Sequence, residues 1–191
     1  MIRCRGVRYL IAITGASGSI YGIRLLQELV GEKVLVISRM AKLIIERETQ
    51  FTIGYVKGLA DEVYEDDDMF APVASGSHRF DAMIVVPCSS SSVAKMASGL
   101  ADTLITRAAA VSMKESRKLV LVVRETPKSQ ILLENELRLA RAGAIILDAN
   151  PGFYSEPKTV DDMVDFVIGR CLDQIGQPHD LYRRWGSSRK E

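Results

Sequence analysis

The stretch ITGASGS, residues 13–19, decides the fold. It follows the apolar run at 9–13 and opens a helical pattern at 20–30. A strand that ends in a Gly/Ser turn and runs straight into a helix makes a cradle for an anion. The glycines let the backbone approach a ligand, and the helix N-terminus aims free N–H groups and partial positive charge at it. Four further runs read as strands buried on both faces: KVLVIS at 33–38, AMIVVP at 82–87, LVLVV at 119–123 and AIIL at 144–147. Helical patterns alternate with them at 40–48, 93–96 (with a break near Gly99), 103–115, 129–142 and 159–175. This rhythm predicts an α/β fold, a single-domain Rossmann-like doubly wound parallel sheet with three layers, α/β/α, over residues 1–191.

Composition narrows the function classes. At 191 residues and 47% hydrophobic, the chain is long enough to bury a full core. Lys+Arg 25 against Asp+Glu 24 gives a net charge of +1, which argues against a general nucleic-acid surface. Cys4, Cys88 and Cys171 lie far apart without CxxC spacing, so neither a zinc site nor a disulfide framework is expected, and a cytoplasmic location is. The start MIRCRGVRYLIAI mimics a signal peptide, but its apolar run is too short for an export signal or a membrane span. The acidic connection EDDDMFAPVASGS, at 65–77, interrupts the alternation after a short strand expected at 62–64. Its Asp66, Asp67 and Asp68 read as solvated surface rather than a metal site. The tail from about residue 176 breaks helix periodicity, and its last residues are expected to be mobile.

A dinucleotide fits poorly. The first turn has Gly15 and Gly18 without a third glycine, and Ser38-Arg39 stands where an acid would hold a ribose. The run at 82–87 leads into a second small-residue turn with Ser89, Ser90, Ser91 and Ser92, which offer hydroxyl donors at a helix start. A serine run also suits a flexible loop or a helix cap. If these two strands are neighbours, both turns face one crevice at the switch point of the sheet. Arg124-Glu125 sits at the end of the run at 119–123, where a charged pair points either into that crevice or simply to solvent. Arg107 and Lys114 are seven residues apart and share one helix face, which is also compatible with a solvated surface. Asn150-Pro151-Gly152 marks a turn presenting Phe153 and Tyr154 at the same edge.

The blocks ITGASGSIYGIRLL, VVPCSSSSVAKMASG, TLITRAAAVSMKESRKLVLVVRETP, NPGFYSEPKTVDDMVDFVIGRCLD and LYRRWG together resemble the flavin prenyltransferases of the UbiX type, in the same order from about Tyr9 to Trp185. The resemblance implies an FMN-binding subunit of a homododecamer, with no metal. It implies transfer of a dimethylallyl group from dimethylallyl phosphate to reduced FMN, giving a prenylated cofactor for UbiD-type decarboxylases. Gly15, Ala16 and Ser17 then match an FMN turn, Ser38 a flavin contact, and Ser89, Ser90, Ser91 and Ser92 the loop that holds the FMN phosphate. Arg124 matches a flavin-binding arginine and Glu125 the acid–base carboxylate. Ser17 and Lys114 join Glu125 as the catalytic set. Lys114, Tyr154 and Arg170, with Arg107 nearby, match residues that grip the prenyl phosphate. Trp185 matches a tail tryptophan close to the site, the tail packing on a neighbouring subunit or near the active site.

The chemistry agrees with those residue types, since departing phosphate needs fixed cations and a carbon-bound proton needs a base. Arg170 lies about 16 Å along its helix from the N-terminal end, on a helix that runs away from its own crevice, so it is expected to serve a neighbouring subunit. Two alternatives compete. One is an FMN-dependent decarboxylase of an aromatic acid or a peptidyl-cysteine. The peptidyl-cysteine enzymes use a catalytic histidine, and neither His78 nor His179 falls in such a motif. The other is a carrier that binds FMN without transforming it.

Overall fold

The computed structural model describes residues 6–186. Six strands form one sheet: β1 (Arg8–Ile13), β2 (Glu32–Ile37), β3 (Glu62–Glu65), β4 (Ala82–Cys88), β5 (Lys118–Val123) and β6 (Ile145–Asp148). All five pairings are parallel, in the order β3-β2-β1-β4-β5-β6. The helices are α1 (Ser19–Glu28), α2 (Arg39–Glu48), α3 (Ile53–Lys57), α4 (Ser90–Ser98), α5 (Leu104–Lys114), α6 (Gln130–Arg141) and α7 (Val160–Ile175). Alternation along the strands divides the core in two. Leu10, Val34, Met83 and Leu121 face α4, α5 and α6, whereas Ile11, Leu35, Ile84 and Val120 face α1, α2 and α7. Both faces are covered, which is why the central strands read as unbroken apolar runs rather than alternating ones.

The order reverses between β1 and β4, so the chain winds outward in both directions from that pair. The expected short strand pairs with β2 at the sheet edge, extending to Glu65. Helix α3 was not anticipated: five residues with a glycine inside and another at the cap carry little periodic signal, and Thr52 holds its start by accepting from Tyr55 N–H at 3.1 Å. Helix α4 begins three residues earlier than its apolar pattern, because the Ser89 hydroxyl accepts from Ser92 N–H at 3.2 Å and caps it.

One carboxylate gathers several side chains of the tail. Asp173 bonds Arg170 at 2.9 Å, Arg184 at 2.9 Å, Tyr182 at 2.8 Å and His179 at 3.1 Å, so residues 177–186 fold back along their own α7. Trp185 thereby meets Tyr154 edge-on at 5.3 Å. The expected mobility of the final residues falls on 187–191, outside the described residues, as does Cys4. Among the described residues no helix is long and apolar enough to cross a membrane, and no cluster of metal-ligating side chains occurs.

Packing and charge can each be tested by one substitution. A Cβ on Gly22 would lie 2.5 Å from the Val86 carbonyl and 2.9 Å from Ile13, so Gly22→Ala should cost about 1–3 kcal/mol by urea unfolding. Unchanged stability would show that α1 does not approach β4 this closely. Burial favours the neutral Asp173 carboxyl, but Arg184, Tyr182 and His179 outweigh it and bring it down to about 2. Its contribution is therefore complete above an ordinary carboxyl value of about 4 and is lost as the pH falls through about 2. Asp173→Asn should free the tail at neutral pH, read as lower fluorescence anisotropy of Trp185, the chain's single tryptophan. Wild-type anisotropy would mean that other contacts hold the tail.

Candidate active site

The crevice begins with one buried threonine. Thr14, the residue after β1, donates its N–H and its hydroxyl to the Pro87 carbonyl, at 3.2 and 2.8 Å, and its Oγ1 accepts from Ser89 N–H at 2.8 Å. The turns after β1 and β4, which the sequence reading required to be neighbours, are thus tied side by side. Ser38 closes a third side, its N–H donating to Ile13 and its hydroxyl capping α2 through Ala41 N–H at 3.2 Å.

Between these turns lies a cleft of about 370 Å³, lined by Thr14, Gly15, Ser38, Met40, Ser89, Ser91, Ser92, Lys95 and Ile105 among others. A side chain at Gly15 would collide with Met40, whose Cγ lies 2.8 Å from where a Cβ would stand, so this wall is bare backbone beside a thioether. One end of the cleft is the N-terminus of α4, where backbone N–H groups have no partner within the helix and the Ser89, Ser91 and Ser92 hydroxyls gather. A phosphate at the serines and a flat ring along Gly15, Met40 and Ile105 is the ligand shape this lining fits, and FMN has it.

The N-terminus of α1 is already taken. Glu48, the last residue of α2, accepts from Gly18 N–H at 2.8 Å. Burial alone would raise its carboxyl, but the Ser17 hydroxyl and the Gly18 and Ser19 N–H groups, with Arg124 nearby, outweigh it and hold it below its ordinary range. Gly18 can present its N–H this way because its φ of 96° suits glycine. Arg124 donates from Nε to the Ser17 carbonyl at 3.1 Å, joining the end of β5 to the same turn. Glu125 is half-buried beside it, its carboxylate accepting from Thr126 N–H at 3.2 Å. Ala16 is buried below the turn.

Lys114 and Arg170 stand apart from this crevice within one chain, and the remaining candidates do not line it. Lys114 is the last residue of α5, four positions before β5 begins, and so lies at the amino edge of the sheet, paired with Glu115 at 2.7 Å. Arg107, two turns earlier, donates to the Ala74 carbonyl at 3.0 Å. Arg170 lies about 15 Å along α7 from Val160, on a helix whose far end accepts from Lys118 at the start of β5. Tyr154 and Trp185 pack together beyond β6, the outermost strand, with Arg183 donating to the Tyr154 carbonyl at 2.8 Å.

The structure adds residues that the sequence reading missed. Thr14 lies within residues 13–19 but has neither the glycine spacing nor the apolar periodicity that marks its neighbours. Asp66 is not solvated surface: its carboxylate accepts from Ile105 N–H at 3.0 Å at the head of α5, it lines the cleft, and burial raises its pKa despite the Ile105 and Thr103 hydrogen bonds. Glu48 carried no local signal, ending an ordinary helical pattern thirty residues from its partner.

Comparison with known proteins places this arrangement. The Flavoprotein family model matches residues 3–172. Flavin prenyltransferase UbiX of Thermoplasma acidophilum is 51% identical over 180 residues, covering 94% of this chain and all of that one. A crystal structure of AnUbiX (PadA1) in complex with FMN and dimethylallyl pyrophosphate has a TM-score of 0.94 at 44% identity, covering 96% of this chain and 100% of that chain. A dodecameric FMN-dependent UbiX-like decarboxylase from Escherichia coli O157:H7 has a TM-score of 0.92 at 44% identity, covering 95% of this chain and 100% of that chain. With the fold, the two turns and near full-length identity in agreement, the chain belongs to the Flavoprotein family, among the UbiX-type flavin prenyltransferases.

Proposed function

We propose that this protein joins a dimethylallyl group from dimethylallyl phosphate to reduced FMN, releasing phosphate and prenylated FMN. The observation that carries the reading is the near full-length match to a protein that holds FMN and dimethylallyl pyrophosphate together. When bound and reduced, the flavin supplies the electron-rich ring atoms that accept the dimethylallyl group.

The chain's own residues divide the remaining tasks. Ser89, Ser90, Ser91 and Ser92 and the α4 N-terminus hold the flavin phosphate, because Glu48 occupies the equivalent position on α1. Gly15, Ala16, Ser17 and Ser38 line the ring, and Arg124 braces the Ser17 turn. Glu125 takes the carbon-bound proton. Glu48, held ionised by Ser17, places a fixed negative charge beside the allylic group as phosphate departs. Lys114 and Arg170, with Arg107 and Tyr154, meet the charge on the leaving phosphate, and Trp185 covers them.

Lys114 and Arg170 lie away from the crevice of their own subunit, so we assign them to the crevice of a neighbour. A homo-oligomer, dodecameric as in the Escherichia coli relative, supplies that neighbour. Apolar side chains left exposed on this subunit, Phe70 fully and Met40 and Leu43 at 56% each, are available for its contacts. A cytoplasmic location and delivery of the product to a UbiD-type decarboxylase complete the reading.

Incubating the protein with reduced FMN and dimethylallyl phosphate should give a flavin heavier by one prenyl group in the mass spectrum. Unchanged FMN would favour a carrier, and carbon dioxide from an added aromatic acid would favour a decarboxylase. Glu125→Gln should bind FMN normally and form product about 10²-fold or more slowly; turnover at the wild-type rate would remove Glu125 from the mechanism. Glu125→Gln and Lys114→Ala, each strongly impaired alone, should recover activity when co-expressed in mixed oligomers. No recovery would place Lys114 and Glu125 in the service of one subunit's site.

A further inference from the structure

The segment after β5 is anchored by ions that the proposed reaction does not use. Lys128, three residues beyond Glu125, places its ammonium 2.9 Å from Glu136 Oε1 and 3.0 Å from Oε2, and pairs as well with Asp148. The partners come from separate elements, Glu136 from the middle of α6 and Asp148 from the last residue of β6. Glu136 is only 7% exposed and shares the inward face of α6 with buried Leu132 and Leu139. Burial alone would lower the Lys128 pKa, but the Asp148 and Glu136 carboxylates outweigh it and raise it above the ordinary range. A partly buried ion pair is a poor source of net stability compared with apolar packing, so a carboxylate on the core-facing surface of α6 points to another use.

The clamp's place beside Glu125 in the chain gives it a use. The stretch is fixed at its start, where Arg124 N–H donates to the Cys88 carbonyl at 3.3 Å and Ala149 N–H to the Val123 carbonyl at 2.9 Å. It is fixed at its end, where the Ser129 hydroxyl caps α6 through Leu132 N–H at 3.2 Å. Between these points the Glu125 carboxylate bonds the adjoining Thr126 N–H, while the half-buried Lys128 reaches to α6 and the end of β6. We propose that Lys128, clamped between Glu136 and Asp148, is a positioning residue that sets where the Glu125 carboxylate stands. The proposal rests on the reading of Glu125 as the base.

The test removes Lys128 and its buried partner together, as K128M/E136M, and measures turnover, KM, FMN affinity and melting temperature on the intact oligomer. Misplacing a reacting group by an ångström is enough to slow a reaction severely. Turnover should fall about tenfold or more with KM and FMN affinity within about twofold, and Lys128→Arg should stay within about threefold of wild type. In an E125Q background the same pair should change the residual turnover by less than about twofold, since the group it positions is gone. Unchanged turnover in K128M/E136M, or an equal loss with and without Glu125, overturns the clamp. An E125Q enzyme as fast as wild type overturns the reading of Glu125 itself, and the clamp's role with it. Should K128M/E136M not fold, Asp148→Asn takes its place in the cycle: a loss of about threefold that vanishes in the E125Q background supports the clamp, and no loss overturns it.

Discussion

A single buried hydroxyl holds the site together. Thr14 bonds the Pro87 carbonyl twice and accepts from the Ser89 amide, joining turns that lie more than seventy residues apart. The bonds sit where the strand order reverses, and they continue past the strand ends the parallel pairing that already sets β1 beside β4. Interior hydrogen bonds of this kind are costly to lose, because the groups left behind have no water to turn to. The strand pairing decides which two helix N-termini are neighbours, and the threonine pins the turns that lead into them.

Those two N-termini are electrically alike but occupied differently. At α1 the chain supplies its own anion, the Glu48 carboxylate, on Gly18 N–H with Ser17 and Ser19 beside it. At α4 the corresponding position is open to the cleft and ringed with serine hydroxyls. On the proposed reading, the α4 cradle is left for the flavin phosphate and the Gly/Ser turn after β1 lines the reacting ring. Arg124, reaching from β5 to the Ser17 carbonyl, ties the end of a third strand into the same turn. The histidines stand outside this constellation, His78 against Arg8 at the amino edge of the sheet and His179 against Asp173 beside α7, which counts against a histidine-dependent decarboxylase.

Much of the fold was legible because both faces of the sheet are covered. Strands buried on two sides must be apolar throughout, and β1, β2, β4, β5 and β6 announced themselves within a residue or two at each end. The turns were legible because glycine and serine directly after a buried strand add little to the core and leave backbone amides bare for a ligand. Glu48 and Asp66 were not, because their roles depend on backbone amides that come close only after folding. The missing third glycine was a matter of spacing rather than of chemistry: Gly22 gives α1 its close approach to β4 from a position outside the expected pattern. Lys114 was grouped with Glu125 by resemblance, and only the direction of α5 shows that one chain keeps them at opposite edges of the sheet.

The division of labour between α1 and α4 is tested most directly by a crystal structure of the protein with bound FMN. The flavin phosphate should sit at the α4 N-terminus, within hydrogen-bond distance of the serine hydroxyls, with Glu48 still on Gly18 N–H. A phosphate seated on the Gly18 and Ser19 amides, with Glu48 displaced, would contradict it.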